Sequence, residues 1–217
     1  MPEPVSVTLF IASGCPHCPN VLQALSELIK AGEIAQLHVS NIALVPEEAQ
    51  KLNVRSVPWV KIGPFELTGA QSKKDLQQWI ARLQSDTGMQ DYFSELFTSG
   101  EMKKVLAMVK KEPELLRIFP KMMADDDTPL GAKIGIGAIF EDLQGSDAIK
   151  TLIPDLTELL KSENPAVRND ACYYLGLTES PDAIPAIQSL SNDETEEVRE
   201  TVKDALEIIN HAGHDID

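Results

Sequence analysis

Cysteine is scarce in this chain: 217 residues contain three, Cys15, Cys18 and Cys172. A small secreted scaffold held together by disulfides uses more of them and in even number, so that class is excluded. What remains is one close pair and one distant thiol. Positive charge is also short, with 19 Lys and Arg against 34 Asp and Glu, a net charge of −15. The deficit is uneven: residues 1–88 carry 7 basic and 8 acidic groups, residues 89–217 carry 12 and 26. The second part would repel phosphate backbones, which argues against nucleic acid as a partner. Long apolar runs are missing too: no stretch approaches the ~18 residues needed to cross a bilayer. Met1-Pro2-Glu3-Pro4 has no basic n-region, and Val5 to Ile11 is too short for a signal peptide. The expectation is a cytoplasmic protein with no membrane partner.

The sequence does hold enough apolar residues, 43%, to bury cores without staples, and enough length for two domains. Val5 to Ile11 is β-branched and apolar and stops at Ala-Ser-Gly, which predicts a buried strand. From Pro16 to Ala31, Val21, Leu22, Leu25, Leu28 and Ile29 recur at helical spacing, and Gly32 ends the pattern. Further strands are predicted at Ile34–Val39, Val57–Ile62 and Phe65–Leu67, with a short helix from Pro46 to Leu52 and a closing helix from Ser72 to Leu83. The order βαβαββα fits a mixed sheet with helices on both faces and the two leading strands parallel. The first domain is read as residues 1–85.

Beyond Ser85-Asp86-Thr87-Gly88 the alternation stops, and residues 89–217 read as all-helical. Helices are predicted at 91–98, 101–110, 114–123, 129–143, 147–160, 165–177, 181–190 and 194–209. Thr128-Pro129, Asn164-Pro165 and Ser180-Pro181 each place a capping residue before a proline, which the first helical turn tolerates. Asp125-Asp126-Asp127 reads as part of such a cap, Cys172 as core filler or a remote redox partner, and His211 and His214 as disordered tail. An internal repeat runs through this part. Val167-Arg168 recurs as Val198-Arg199 and Leu175 as Leu206, 31 residues on, while Asp147-Ala148-Ile149 recurs as Asp182-Ala183-Ile184 after 35. Asn164 to Leu206 resembles HEAT-like repeats. The resemblance implies stacked helix hairpins that bind a protein, with Arg168 and Arg199 supporting the packing between repeats.

Chemistry concentrates at Cys15-Pro16-His17-Cys18-Pro19, between the first strand and the first helix. Two cysteines three apart at a helix start share one side and can close a disulfide. The helix terminus stabilises a thiolate at Cys15, and His17, when protonated, adds to this. Cys18, one turn in, is suited to attack a mixed disulfide formed on Cys15. Zinc ribbons also use C-x-x-C but need a second pair, and an iron–sulfur bridge between two chains is a further alternative. Forty residues beyond Cys18, Val57-Pro58 opens a strand, where a proline forfeits a ladder hydrogen bond. Strand, C-P-H-C, S-V-P and the Gly69-Ala70-Gln71-Ser72 entry to the last helix together resemble the thioredoxin superfamily. That resemblance implies a cis-Pro58 packed on the disulfide, a preceding backbone at Val57 that pairs with substrate, and a groove shared with Pro16. Trp59 is placed at the groove or, equally, in the core.

The chain departs from that family's pattern in places. Ser13-Gly14 stands where thioredoxins usually carry tryptophan, and Leu9 stands where they bury a proton-accepting aspartate. The Pro-His dipeptide is similar to that of a periplasmic disulfide-introducing oxidase, and the glutathione-binding pattern of glutaredoxins is not evident. The reading is a thiol–disulfide oxidoreductase acting on protein disulfides, with Cys15, Cys18, His17 and Pro58 as its working residues. It calls for no cofactor or metal, but for a reductase or dithiol donor. The rival reading is a redox sensor or interaction scaffold built on the repeats.

Overall fold

The computed structural model describes residues 4–214, with the side chains of residues 213 and 214 left aside. It divides into two compact units, residues 1–89 and 90–217. In the first, β1 (Ser6–Ile11), α1 (Cys18–Lys30), β2 (Gln36–Asn41), α2 (Pro46–Lys51), β3 (Trp59–Ile62), β4 (Phe65–Thr68) and α3 (Lys73–Arg82) follow one another. The sheet order is β2-β1-β3-β4. β1 and β2 are parallel, and the β1–β3 and β3–β4 pairs are antiparallel.

Register decides which side chains share a face. Val7 opposes Ile62, and Leu9 opposes Val60, which opposes Leu67. These positions are buried, as are Leu25 and Leu28 of α1 and Leu76 and Ile80 of α3, and α1 and α3 pack on each other. The other face carries Phe10 opposite Trp59, with Ala49 of α2 against them. α3 is held at its start by a capping box: the Asp75 amide donates to the Ser72 hydroxyl, and the Ser72 amide donates to Asp75 Oδ2 at 2.9 Å.

β2 begins two residues later than its sequence pattern indicates. Ile34 is buried (3% exposed) but precedes the ladder, which starts where the amides of Ala35 and Gln36 donate to Val5 O. Apolarity marked burial there, and backbone pairing marked the strand.

The second unit is helical: α4 (Gly88–Thr98), α5 (Met102–Lys111), α6 (Ile118–Ala124), α7 (Leu130–Asp142), α8 (Asp147–Lys150), α9 (Ile153–Leu159), α10 (Pro165–Leu177), α11 (Ile184–Gln188) and α12 (Glu196–His214). Three expected helices are broken. Residues 147–160 divide into α8 and α9 around Thr151-Leu152, because Pro154 has no N–H to donate back across that turn. Residues 114–123 start as a 3-10 turn, Pro113–Arg117, and 181–190 as another, Pro181–Ala183, ahead of Pro185. Asn164 and Ser180 cap as expected, through the amides of Ala166 and Asp182. Thr128 does not: Pro129 itself occupies the cap position in an extended conformation, and Thr128 is buried. Asp125 ends α6 and accepts from the Asp127 amide, closing a turn rather than capping α7. His211 lies within α12 and meets Glu207 O there, so it is not a disordered tail residue, while His214's side chain lies outside the described set.

A chain of aromatic rings runs through the first half of this core. Phe93 and Phe97 pack on Phe119, Phe119 on Phe140 at 5.8 Å, and Phe140 on Tyr174 at 4.7 Å. Gly135 permits the closest approach, since a Cβ there would run into the Phe97 ring. The repeats show a matching pair of loop clamps. Arg168 Nη1 donates to the carbonyls of Ser162 and Glu163, and Arg199 Nη1 to those of Asp193 and Glu194. Each arginine thus holds the loop that leads into its own helix.

Candidate functional site

Cys15 and Cys18 are joined as a disulfide with Cα atoms 5.5 Å apart, within the ordinary range for such a bond. The turn that presents them is local: the Cys15 amide donates to Ala12 O, and His17 takes the cap position of α1 with Pro19 in its first turn. Cys15 is half-buried and Cys18 is 3% exposed, so one sulfur is accessible and the other is covered. The Cys18 amide donates to Cys15 Sγ at 3.1 Å, which aims the first free N–H of α1 at the accessible sulfur.

The Val57–Pro58 peptide bond is cis, and Val57 O lies 3.7 Å from Cys15 Sγ. Pro58 is buried and its carbonyl accepts from the Gly69 amide at 2.9 Å, which ties the cis turn to the end of β4. Val57 is only half-buried, and among the described residues its N–H has no backbone partner. The fold therefore brings Cys15, Cys18, Val57 and Pro58 together. Pro16 and His17 are exposed beside them.

Trp59 is a correction. It is 4% exposed, with its ring 5.7 Å from Phe10 and tilted 67° in the cluster that includes Ala49. Alternation along β3 turns it under the sheet, so it fills the core instead of lining the groove. Cys172 is fully buried, and burial pushes its thiol up to about 12, which makes it an inert packing residue. Leu9 is likewise fully buried and, as an apolar side chain, provides no proton acceptor in the strand before Cys15.

Two features of the site were missed in the sequence. Asn41, at the end of β2, donates from Nδ2 to Ser13 Oγ at 3.2 Å and accepts the Ala43 amide on Oδ1 at 3.1 Å. It tethers the loop that leads into Cys15, and an asparagine ending a strand is a faint signal for this. The second is an open cleft of about 570 Å³ beside His17, between the start of α1 and the start of α3, lined by Asn20, Val21, Gln71 and Ser72 among others. Its charged rim is internally paired. Lys73 Nζ sits 3.1 Å from Glu27, and Ser72 and Asp75 bond each other, which lowers both carboxyls below their ordinary range.

Comparison with known proteins gives matches to both parts of the chain. Residues 5–81 match the family described as thioredoxin domain, and residues 138–213 match that described as HEAT repeats. A thioredoxin of Methanocaldococcus jannaschii is 28% identical over 80 residues, 36% of this chain and 94% of that protein. Among solved structures, oxidised thioredoxin from Plasmodium falciparum is 22% identical over 37% of this chain and 82% of its own, with a TM-score of 0.33. Human deoxyhypusine hydroxylase is 21% identical over 44% of this chain and 43% of its own, with a TM-score of 0.31. The chain carries a thioredoxin-like domain followed by HEAT-like repeats, that is, a redox-type module joined to a repeat scaffold. No helix among the described residues is long and apolar enough to cross a membrane.

Proposed function

We propose that the chain is a thiol–disulfide oxidoreductase that acts on protein disulfides in the cytoplasm and uses its repeats to bind a protein partner. The observation that carries this reading is the accessible Cys15 sulfur, paired with a covered Cys18 and packed beside the cis Val57–Pro58 turn. In the reducing direction, Cys15 thiolate attacks a substrate disulfide. One substrate sulfur leaves as a thiolate and takes a proton, and a mixed disulfide remains on Cys15. Cys18 then loses its proton and attacks Cys15 Sγ, which releases the second substrate thiolate. The Cys15–Cys18 disulfide is left for a dithiol donor to reduce. Val57, whose N–H has no backbone partner among the described residues, offers a substrate strand a backbone partner next to the reacting sulfurs.

Insulin-disulfide reduction with a dithiol donor tests this. Turnover above the donor alone, lost in Cys15→Ser, is the expected result, and no acceleration by the wild-type chain would sink the reading. A second reading, a redox sensor or interaction scaffold, is favoured by Leu9, which leaves no carboxylate to take the Cys18 proton. It expects a Cys15–Cys18 bond that opens and closes stoichiometrically without turnover.

Two further outcomes are expected. The Cys15 thiol should titrate below the ~8.5 of a free cysteine, because the α1 terminus and the Cys18 N–H favour the thiolate. Thiolate ultraviolet absorbance against pH measures this, and His17→Ala should move the transition upward. Residues 1–89 expressed alone should keep the disulfide chemistry and a cooperative unfolding transition. An unfolded fragment would show that the two units depend on a shared core.

A further inference from the structure

α7 buries one face and leaves another open. Leu130 and Ile134, one turn apart, are 74% and 65% exposed, far more than the rest of the helix's large apolar residues. Isolated exposed leucines need no explanation, but two on one stripe of a helix inside a packed repeat array form a contiguous patch. The stripe continues to Glu141 on the same side of α7. Glu141 Oε1 accepts from the Tyr173 hydroxyl of α10 at 3.3 Å. Asp170, one turn before Tyr173, feels the charges of Lys133 on α7 and Glu197 on α12. Thr201 of α12 donates to Asn169 Oδ1 at 2.6 Å, which sets α12 alongside α10 on the same side. One surface therefore runs from the apolar stripe across the half-buried Tyr173 to carboxylates on three helices.

The electrostatics of this surface are one-sided. Glu141, Asp170 and Glu197 bring three carboxylates and Lys133 lies near Asp170, within a unit whose overall balance is 26 acidic to 12 basic groups. Asp170's carboxyl is raised above its ordinary range, first by burial and then by Glu197, against the opposing pull of Lys133. A partly desolvated carboxylate beside another acid gains most from a cation placed between them. Tyr173 adds a ring face on which a guanidinium can stack. An anionic membrane or a nucleic acid is the wrong sign for such a surface, and a purely apolar partner would leave its carboxylates unanswered.

We infer that this face of α7, α10 and α12 is a docking surface for a basic segment of a partner protein, with a large apolar side chain of that segment seated on Leu130 and Ile134. This rests on the proposed reading that the repeats bind a protein and names the kind of segment they take; it does not depend on the redox chemistry. The test uses the full chain and two labelled synthetic peptides of equal length, one of lysine, arginine and leucine and one with glutamate in place of every basic residue. Fluorescence anisotropy should show saturable binding of the basic peptide alone, weakening as salt rises through the range where the Debye length shrinks to about 8 Å. Leu130→Ser with Ile134→Ser should weaken binding by about tenfold or more. Glu141→Gln with Glu197→Gln should weaken it and flatten the salt dependence. Glu112→Gln with Glu158→Gln removes the same charge from exposed positions elsewhere and should leave binding unchanged.

All the altered side chains are exposed, and an unchanged thermal melt confirms that each variant is folded. Four results would overturn the inference. They are no binding by the wild type, full binding by the Leu130/Ile134 variant, equal weakening by the control pair, or a self-association abolished by Leu130→Ser with Ile134→Ser. The last would assign the face to a second copy of the chain.

Discussion

Replacing Cys18 with serine should turn the chain from a turnover catalyst into a trap that holds substrate on Cys15. The accessible sulfur and its α1 N–H remain in place, so the first attack proceeds. The resolving thiol is gone, so the mixed disulfide persists until an external thiol finds it. Non-reducing gels of the variant incubated with a protein disulfide should show a covalent adduct that disappears on reduction and is absent from Cys15→Ser. Turnover should fall to that of the donor alone in both variants. An adduct formed equally by Cys15→Ser with Cys18 intact would make Cys18 the nucleophile and reverse the roles. The wild type offers a second check. With Leu9 where a carboxylate could have taken the Cys18 proton, resolution depends on that thiol's own ionisation, so the wild-type adduct should shorten in lifetime as pH rises.

The second large effect concerns stability. Arg168 is bound to Asp193 through two parallel hydrogen bonds, 2.8 and 2.9 Å, with side-chain exposures of 8% and 6%. Arg168 also holds the Ser162 and Glu163 carbonyls, so one guanidinium joins the loop before α10 to the loop before α12. Asp193→Asn removes the bidentate counter-charge of that buried guanidinium and leaves it only the exposed Glu194 carboxylate, 3.6 Å from Nη2. Breaking such a pair costs about 3–5 kcal/mol, a drop in melting temperature on the order of 10 °C for a unit of this size. Both tryptophans, Trp59 and Trp79, lie in the first unit and all three tyrosines in the second. Far-ultraviolet circular dichroism, dominated by the helices, should therefore shift while tryptophan fluorescence keeps its transition.

Acidification provides an independent check of the same pair. The Arg168 hydrogen bonds, followed by the Thr195 amide, hold the Asp193 carboxyl below its ordinary range. A carboxyl depressed on folding contributes its full stabilisation above the unfolded value of about 4 and loses it as pH falls through the folded value. The gap between wild type and Asp193→Asn should therefore be constant near neutrality and narrow below about pH 4. A gap that persists undiminished at low pH would mean that packing, not charge, sets the cost.

Much of this protein was legible in its sequence because the relevant signals are local. Strand alternation, helical spacing and the proline and glycine stops are properties of a few adjacent residues, and they marked β1, α1, α2, α3 and most helices of the second unit. C-P-H-C at a strand-to-helix turn, with Val57-Pro58 before another strand, marked the two segments that meet at the Cys15–Cys18 disulfide. The 31-residue recurrence of Val-Arg marked Arg168 and Arg199 as equivalent structural positions, expected to support packing between repeats, and in the structure each holds the loop before its own helix. Only the tertiary structure decided matters of facing and reach. Trp59 reads equally well as groove or core until register pairs it with Phe10 and turns it under the sheet. Asn41 touches Ser13 across 28 residues, and Arg168 finds Asp193 across 25, pairings that no local pattern of adjacent residues marks. The open stripe at Leu130 and Ile134 is not distinguishable in sequence from the rest of the helix expected at 129–143, because an apolar residue carries no mark of which neighbour will cover it. Burial is a property of the whole packed array, and here the array leaves those two side chains to solvent beside carboxylates contributed by three different helices.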